Sequence, residues 1–264
     1  MSSRIKVAMF INLMIFLLEF FAFVARVVFA GDAFSIGDNT IYYTIDSNLL
    51  AMVASAIYVI FGTKAMEEKK SIPRVVQFIR YLATSGVMYT LVVVFTVLIP
   101  AMGEGGFARM VLTPVMAIQH LVAPLLCVIS FCGFETEHSM PIKWVFYVTL
   151  PTCLYAFILY LLNGFYVVEG PYPFFEVHKY KVPWLVCMFF ILIAMCIALN
   201  FGILKIANIF SARDTLMLNA IDRMNEEEEA NKTEEERKRE AEEKEKKRKK
   251  NPYLYDIIGL IVKK

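Results

Sequence analysis

Residues 183–207 read PWLVCMFFILIAMCIALNFGILKIA, with Lys205 as the one charged side chain. About 20 mostly apolar residues in a helix cross a hydrocarbon layer about 30 Å thick, so this stretch is long enough to span a membrane. Five more segments of the same kind lie upstream, at 5–30, 41–63, 81–102, 113–132 and 144–167. The fold expected is all-α: a polytopic membrane protein, a six-helix transmembrane bundle. The first segment is too long for a signal peptide and lacks a small-residue cleavage site, so it reads as a true span.

Composition agrees. Hydrophobic residues make up 58% of the 264-residue chain, and the mean hydropathy is +0.55. Of 27 basic and 25 acidic side chains, 10 and 11 fall within residues 226–250. An apolar body with one charged appendix excludes a soluble globular enzyme, a disulfide-framed secreted domain and a nucleic-acid binder. Two parts are expected: a six-span domain over 1–207 and a charged, helical cytosolic tail over 208–264. The tail pairs carboxylates and amines three or four residues apart. It lacks the apolar heptads of a coiled coil and reads as a solvated spacer. Its apolar end, 251–264, is expected to dock on the membrane or on the body. Whether the tail has a protein partner is left open.

Loop charges set the direction. Arg4 and Lys6 precede the first span, and Lys64, Lys69, Lys70, Arg74 and Arg80 sit in the second loop. The loop at 31–40 has no basic residue, and the third has only Arg109. Lys179 and Lys181 run against the trend. The positive-inside rule then places both termini in the cytoplasm of a cell-membrane protein. Cys127, Cys132, Cys153, Cys187 and Cys196 all lie in apolar segments without ligand spacing, so they read as packing residues. No metal and no cofactor are expected, and the partners expected are membrane lipids.

Polar groups within spans are costly and mark candidate sites. Glu19 and Arg26 are seven residues apart, two helical turns, and share a face. They read either as a structural ion pair or as the wall of a polar cavity. Thr44, Ser47 and Asn48 share a face of the second span, which Ala51 and Ser55 continue as a strip of small residues. His120 is the one histidine inside a span, and Pro124 deprives its carbonyl of the usual helical donor. Asn163 ends the fifth span, and Tyr172 lies between Pro171 and Pro173 in a stiff turn. Thr44, Asn48, His120, Asn163 and the loop at 171–176 gather toward one leaflet, the outer one.

The strings YYTIDSNLL, HLVAP and LLNGFYVVEGPYPFFEV resemble the three signatures of the bacterial Pr-six-Pr family of six-helix membrane proteins. Gly170 stands where that family's last motif has a tyrosine. More distantly, the chain is similar to the androgen-induced protein family, hydrolases of fatty-acid esters of hydroxy fatty acids. That resemblance implies an intramembrane threonine nucleophile at Thr44 and its histidine partner at His120.

Such a pair has a clear chemical logic. A threonine hydroxyl attacks an ester once a neutral imidazole takes its proton. The oxyanion then needs fixed donors, for which Asn48 and Asn163 are candidates. Ser47, Arg26, Glu19 and Tyr172 complete the expected substrate-binding set. The functional expectation is a lipid-ester hydrolase or acyltransferase. The alternative is a non-enzymatic lipid-binding, transport or scaffold protein.

Overall fold

The computed structural model describes residues 2–30, 41–68, 70–231 and 234–250. Among them the regular elements are all helical. Six helices are long and apolar enough to cross a membrane. We number them α1 (Ser2–Ala30), α2 (Tyr43–Glu68), α3 (Arg74–Met102), α4 (Pro114–Glu135), α5 (Lys143–Gly164) and α6 (Val182–Asn231). A seventh helix, α7, covers Glu234–Lys250. The chain divides into two compact units, Met1–Ala212 and Arg213–Lys264. The expected apolar end segment at 251–264 and the loop at 31–40 lie outside the described residues.

Helices α1 to α4 form the tight part of the first unit, with α1 against α2 and α4, and α3 against α2, α4 and α5. Small residues let the backbones approach. Ala51, Ala54 and Ser55 of α2 are fully buried. At Gly62 a Cβ would lie 2.8 Å from Cγ of Met9, so the Met9 side chain would have to shift for any larger residue to fit between α1 and α2. Gly86 of α3 faces Ser47 in the same way, at 3.2 Å from its Cβ. Close contact of this kind holds helices together where apolar burial alone gives no preference over lipid.

Helix α6 is fastened in part through Asn200, which is completely buried. Its side-chain amide donates to the Thr149 hydroxyl of α5 (2.9 Å) and its side-chain oxygen accepts from Ser85 of α3. The Tyr81 hydroxyl donates to the Asn200 carbonyl at 2.7 Å. Outward, the bundle is apolar. On α5, Phe146, Leu150, Leu154, Phe157 and Leu161 follow one face and are all exposed, while Val145, Val148, Thr149 and Thr152 turn inward. A soluble monomer rarely exposes so continuous an apolar stripe.

One expectation needs correction. Arg80 is not a loop charge: α3 begins at Arg74, and Arg80 is 0% exposed. It belongs to a polar layer that composition could not reveal. Its Nε and Nη2 donate to the two oxygens of Glu135 (2.8 and 3.0 Å), and its Nη1 donates to Ser55. Asn12 of α1 donates to the same carboxylate at 2.8 Å. The third helix therefore begins seven residues earlier than the apolar run, because the guanidinium is neutralised and fully bonded inside the bundle. The sixth helix also runs past residue 207, unbroken to Asn231.

Candidate functional site

At the end of the bundle that carries residues 171–176, α1, α2, α3 and α4 surround a cavity of about 470 Å³. Its polar lining comes from Arg26, Tyr42, Thr44, His120 and Tyr172. Thr44 and His120 thus face one space. Met102, Met110 and Met116 supply much of the apolar wall, adaptable side chains suited to an irregular ligand.

Thr44 stands in the first turn of α2. Asn48, one turn on, donates to the Thr44 carbonyl at 2.7 Å and to the Gln119 carbonyl of α4 at 3.3 Å. Both hydrogens of its amide are therefore committed to backbone. Asn48 does not line the cavity, and its expected role as an oxyanion donor gives way to that of a tie between the two helices bearing Thr44 and His120. Ser47 also turns aside. Its hydroxyl meets Thr90 of α3 (3.0 Å) and the Thr44 carbonyl (3.1 Å), beside a separate groove that Asp46 and Pro151 line.

His120 sits in a widened π-helical turn, Ile118–Val122, where the Ala123 N–H reaches back five residues to Ile118. Pro124 follows at once and can donate no backbone bond. The wide turn brings two consecutive side chains, Gln119 and His120, into the interior, each 4% exposed. Such turns recur at functional sites. His120 Nδ1 lies 2.8 Å from the Met110 carbonyl. A carbonyl only accepts, so Nδ1 carries the hydrogen, and the neutral ring keeps its lone pair on Nε2.

Arg26 and Glu19 are linked through Gln119 rather than by a simple pair. Arg26 donates to Gln119 Oε1 at 2.8 Å, while Glu19 lies against the Gln119 side chain and near Arg26. One Glu19 oxygen, Oε1, and the Arg26 Nε are buried without a partner, as is Asn48 Oδ1. Buried polar atoms are normally bonded, so these orphans are unusual, and of the three residues Arg26 is the one that lines the cavity. Of the expected set, Arg26 lines the cavity and Glu19 stands behind it.

Tyr172 closes the cavity from the hairpin. Its ring packs against Phe174, and Tyr42 meets it edge-on. Burial pushes the phenol above the ordinary tyrosine range, with contact to the Thr44 side chain pulling the other way. The hydroxyl therefore stays protonated and able to donate.

Asn163 is placed elsewhere. Its amide donates to the Val168 carbonyl and accepts from the Val177 N–H, and it lines a second, loop-built cavity with Glu169, His178 and Lys179. It shapes the hairpin and is not brought to Thr44. Sequence reasoning missed the Met110 carbonyl, the bridging role of Gln119, and the Asn12–Arg80–Glu135 layer. The last had a signal: Asn12, Glu19 and Arg26 repeat at seven residues, one polar line along α1. No cluster of metal-ligating side chains is found among the described residues. No protein-family model, curated protein or solved structure matches the chain.

Proposed function

We propose that the protein is a multi-pass membrane protein that cleaves or transfers the acyl group of a lipid ester, with Thr44 as nucleophile and His120 as base. Six long apolar helices are compatible with the membrane setting. The observation that carries the chemistry is the single cavity lined by Thr44, His120, Arg26 and Tyr172. By its loop charges the cavity opens toward the outer leaflet of the cell membrane, with both termini and the charged helical tail in the cytoplasm. The resemblance of the sequence strings to the Pr-six-Pr family bears on the six-helix fold, and the more distant one to the androgen-induced family is what suggests the chemistry.

In the reaction His120 Nε2 takes the Thr44 proton as Oγ attacks the ester carbonyl. Tyr172 and Arg26, which line the same cavity, are the donors assigned to the oxyanion. Collapse breaks the ester C–O bond, and the alcohol leaves with the proton from His120. Water, or a second alcohol, then gives its proton to His120 and attacks the acyl-threonine, and the proton returns to the Thr44 oxygen.

The unpartnered Glu19 Oε1 and Arg26 Nε favour a second reading, a site that holds a polar headgroup without cleaving it. A fluorophosphonate probe distinguishes the two. Labelling at Thr44 that disappears in His120→Ala supports the hydrolase; no labelling of the purified protein leaves the binding role.

A further inference from the structure

Beside the polar cavity lies a second, narrower one. Its walls are aromatic and aliphatic: Tyr89 and Val93 of α3, Tyr155 and Ala156 of α5, Leu192 and Ile193 of α6, under a roof of Phe174 and Phe175. Tyr172 and Leu98 line both spaces, so the two are neighbours across a partition of these side chains.

The tyrosines do not make the slot polar. Tyr89 donates to the Leu192 carbonyl (3.1 Å), Tyr155 to the Ile41 carbonyl (2.6 Å), and Tyr43 shares a hydrogen bond with Thr152 (2.7 Å). Each hydroxyl is spent on the protein, leaving ring surface toward the space. A buried water requires two to four polar partners, which this lining lacks, so the slot suits hydrocarbon.

We infer that the slot receives the methyl end of the lipid chain whose ester lies at Thr44 and His120. The inference rests on the lipid reading of the polar cavity. The slot offers about 40 Å³. At about 10–15 Å³ for each sphere of water size, that is roughly three or four such spheres and fewer of the larger methylene groups, room for the very tip of one chain. The slot therefore accepts an unbranched chain end and excludes a branched or ring-bearing one. Tyr172 has two duties, one edge toward the ester and one side toward the chain.

The test is photolabelling of the full chain in lipid nanodiscs with a sixteen-carbon fatty acid that carries a diazirine at its last carbon. Crosslinks are expected on the slot-facing residues of α5 and α6. Ala156→Trp fills the slot and lowers that labelling by roughly tenfold, the loss expected when a few buried methylenes have no place to go. Leu192→Ala opens it, and a fatty acid ending in a phenyl ring then binds this variant more tightly than the wild type. Crosslinks confined to outward side chains such as Phe157, Ile158 and Phe190, or no response to either substitution, overturn the inference. The labelling needs no turnover. Slot labelling without ester cleavage removes the hydrolase alone; ester cleavage with labelling only outside removes the slot alone.

Discussion

Asn48 of α2 donates a hydrogen bond to the carbonyl of Gln119 on α4, at 3.3 Å. The same amide holds the Thr44 carbonyl at 2.7 Å. One side chain thus ties the backbone of Thr44 to the backbone next to His120. Asn48→Leu removes both bonds while keeping similar bulk. Each such bond is worth about 0.5–1.5 kcal/mol, so the variant should unfold about 1–3 kcal/mol more easily in detergent titrations. On the proposed mechanism ester turnover should fall as well, and Asn48→Leu with unaltered stability would remove the tie.

A second prediction concerns the buried Arg80–Glu135 pair, in which both partners are almost completely hidden. Removing one partner leaves a charge without compensation, which costs about 3–5 kcal/mol. Arg80→Met should therefore be strongly destabilising. The double variant Arg80→Met with Glu135→Leu should recover much of the loss, because no lone charge then remains. Equal stability of the single and double variants, measured by equilibrium unfolding in mixed micelles, would contradict this account.

Gly62 gives a packing prediction. Its missing Cβ would sit 2.8 Å from Met9 Cγ and 2.9 Å from Met9 Sδ. Gly62→Leu should cost about 1–3 kcal/mol through overpacking. Met9→Ala in the same chain should return part of it. Gly133, whose Cβ position is open, is the control, and Gly133→Ala should leave the α1–α2 contact undisturbed.

How much of this was legible beforehand differs by feature. The six helices follow from long apolar runs, a signal carried by composition alone. The gathering of Thr44, His120 and Tyr172 at one end follows from counting turns along each segment. Other features depend on which way a side chain points. Arg80 looks like a loop charge because its partner, Glu135, is 55 residues away at the end of another helix. Asn48 and Asn163 look alike as amide donors, yet one bridges helices and the other fixes a hairpin. The π turn at Ile118–Val122 shifts the register by a residue, so simple 3.6-residue spacing does not place Gln119 and His120 together.

The Tyr172 phenol carries a pH prediction. Burial raises it above the ordinary tyrosine range, so folding favours its neutral form. Its contribution is complete below pH ~10 and is lost as pH rises through the higher folded value. The stability difference between wild type and Tyr172→Phe should be flat from neutral pH to ~10 and then shift in favour of phenylalanine. A difference that stays constant through alkaline unfolding would show the phenol to be solvated.

The most direct measurement is ester cleavage by the purified chain in nanodiscs, across lipid esters of graded chain length, for wild type, Thr44→Ala and His120→Ala. Turnover is expected in the wild type, none in Thr44→Ala, and a loss of roughly 10²–10⁴ in His120→Ala, the usual contribution of a positioned base. Turnover that survives Thr44→Ala, or a wild type that cleaves no ester on the panel, would contradict the proposed mechanism.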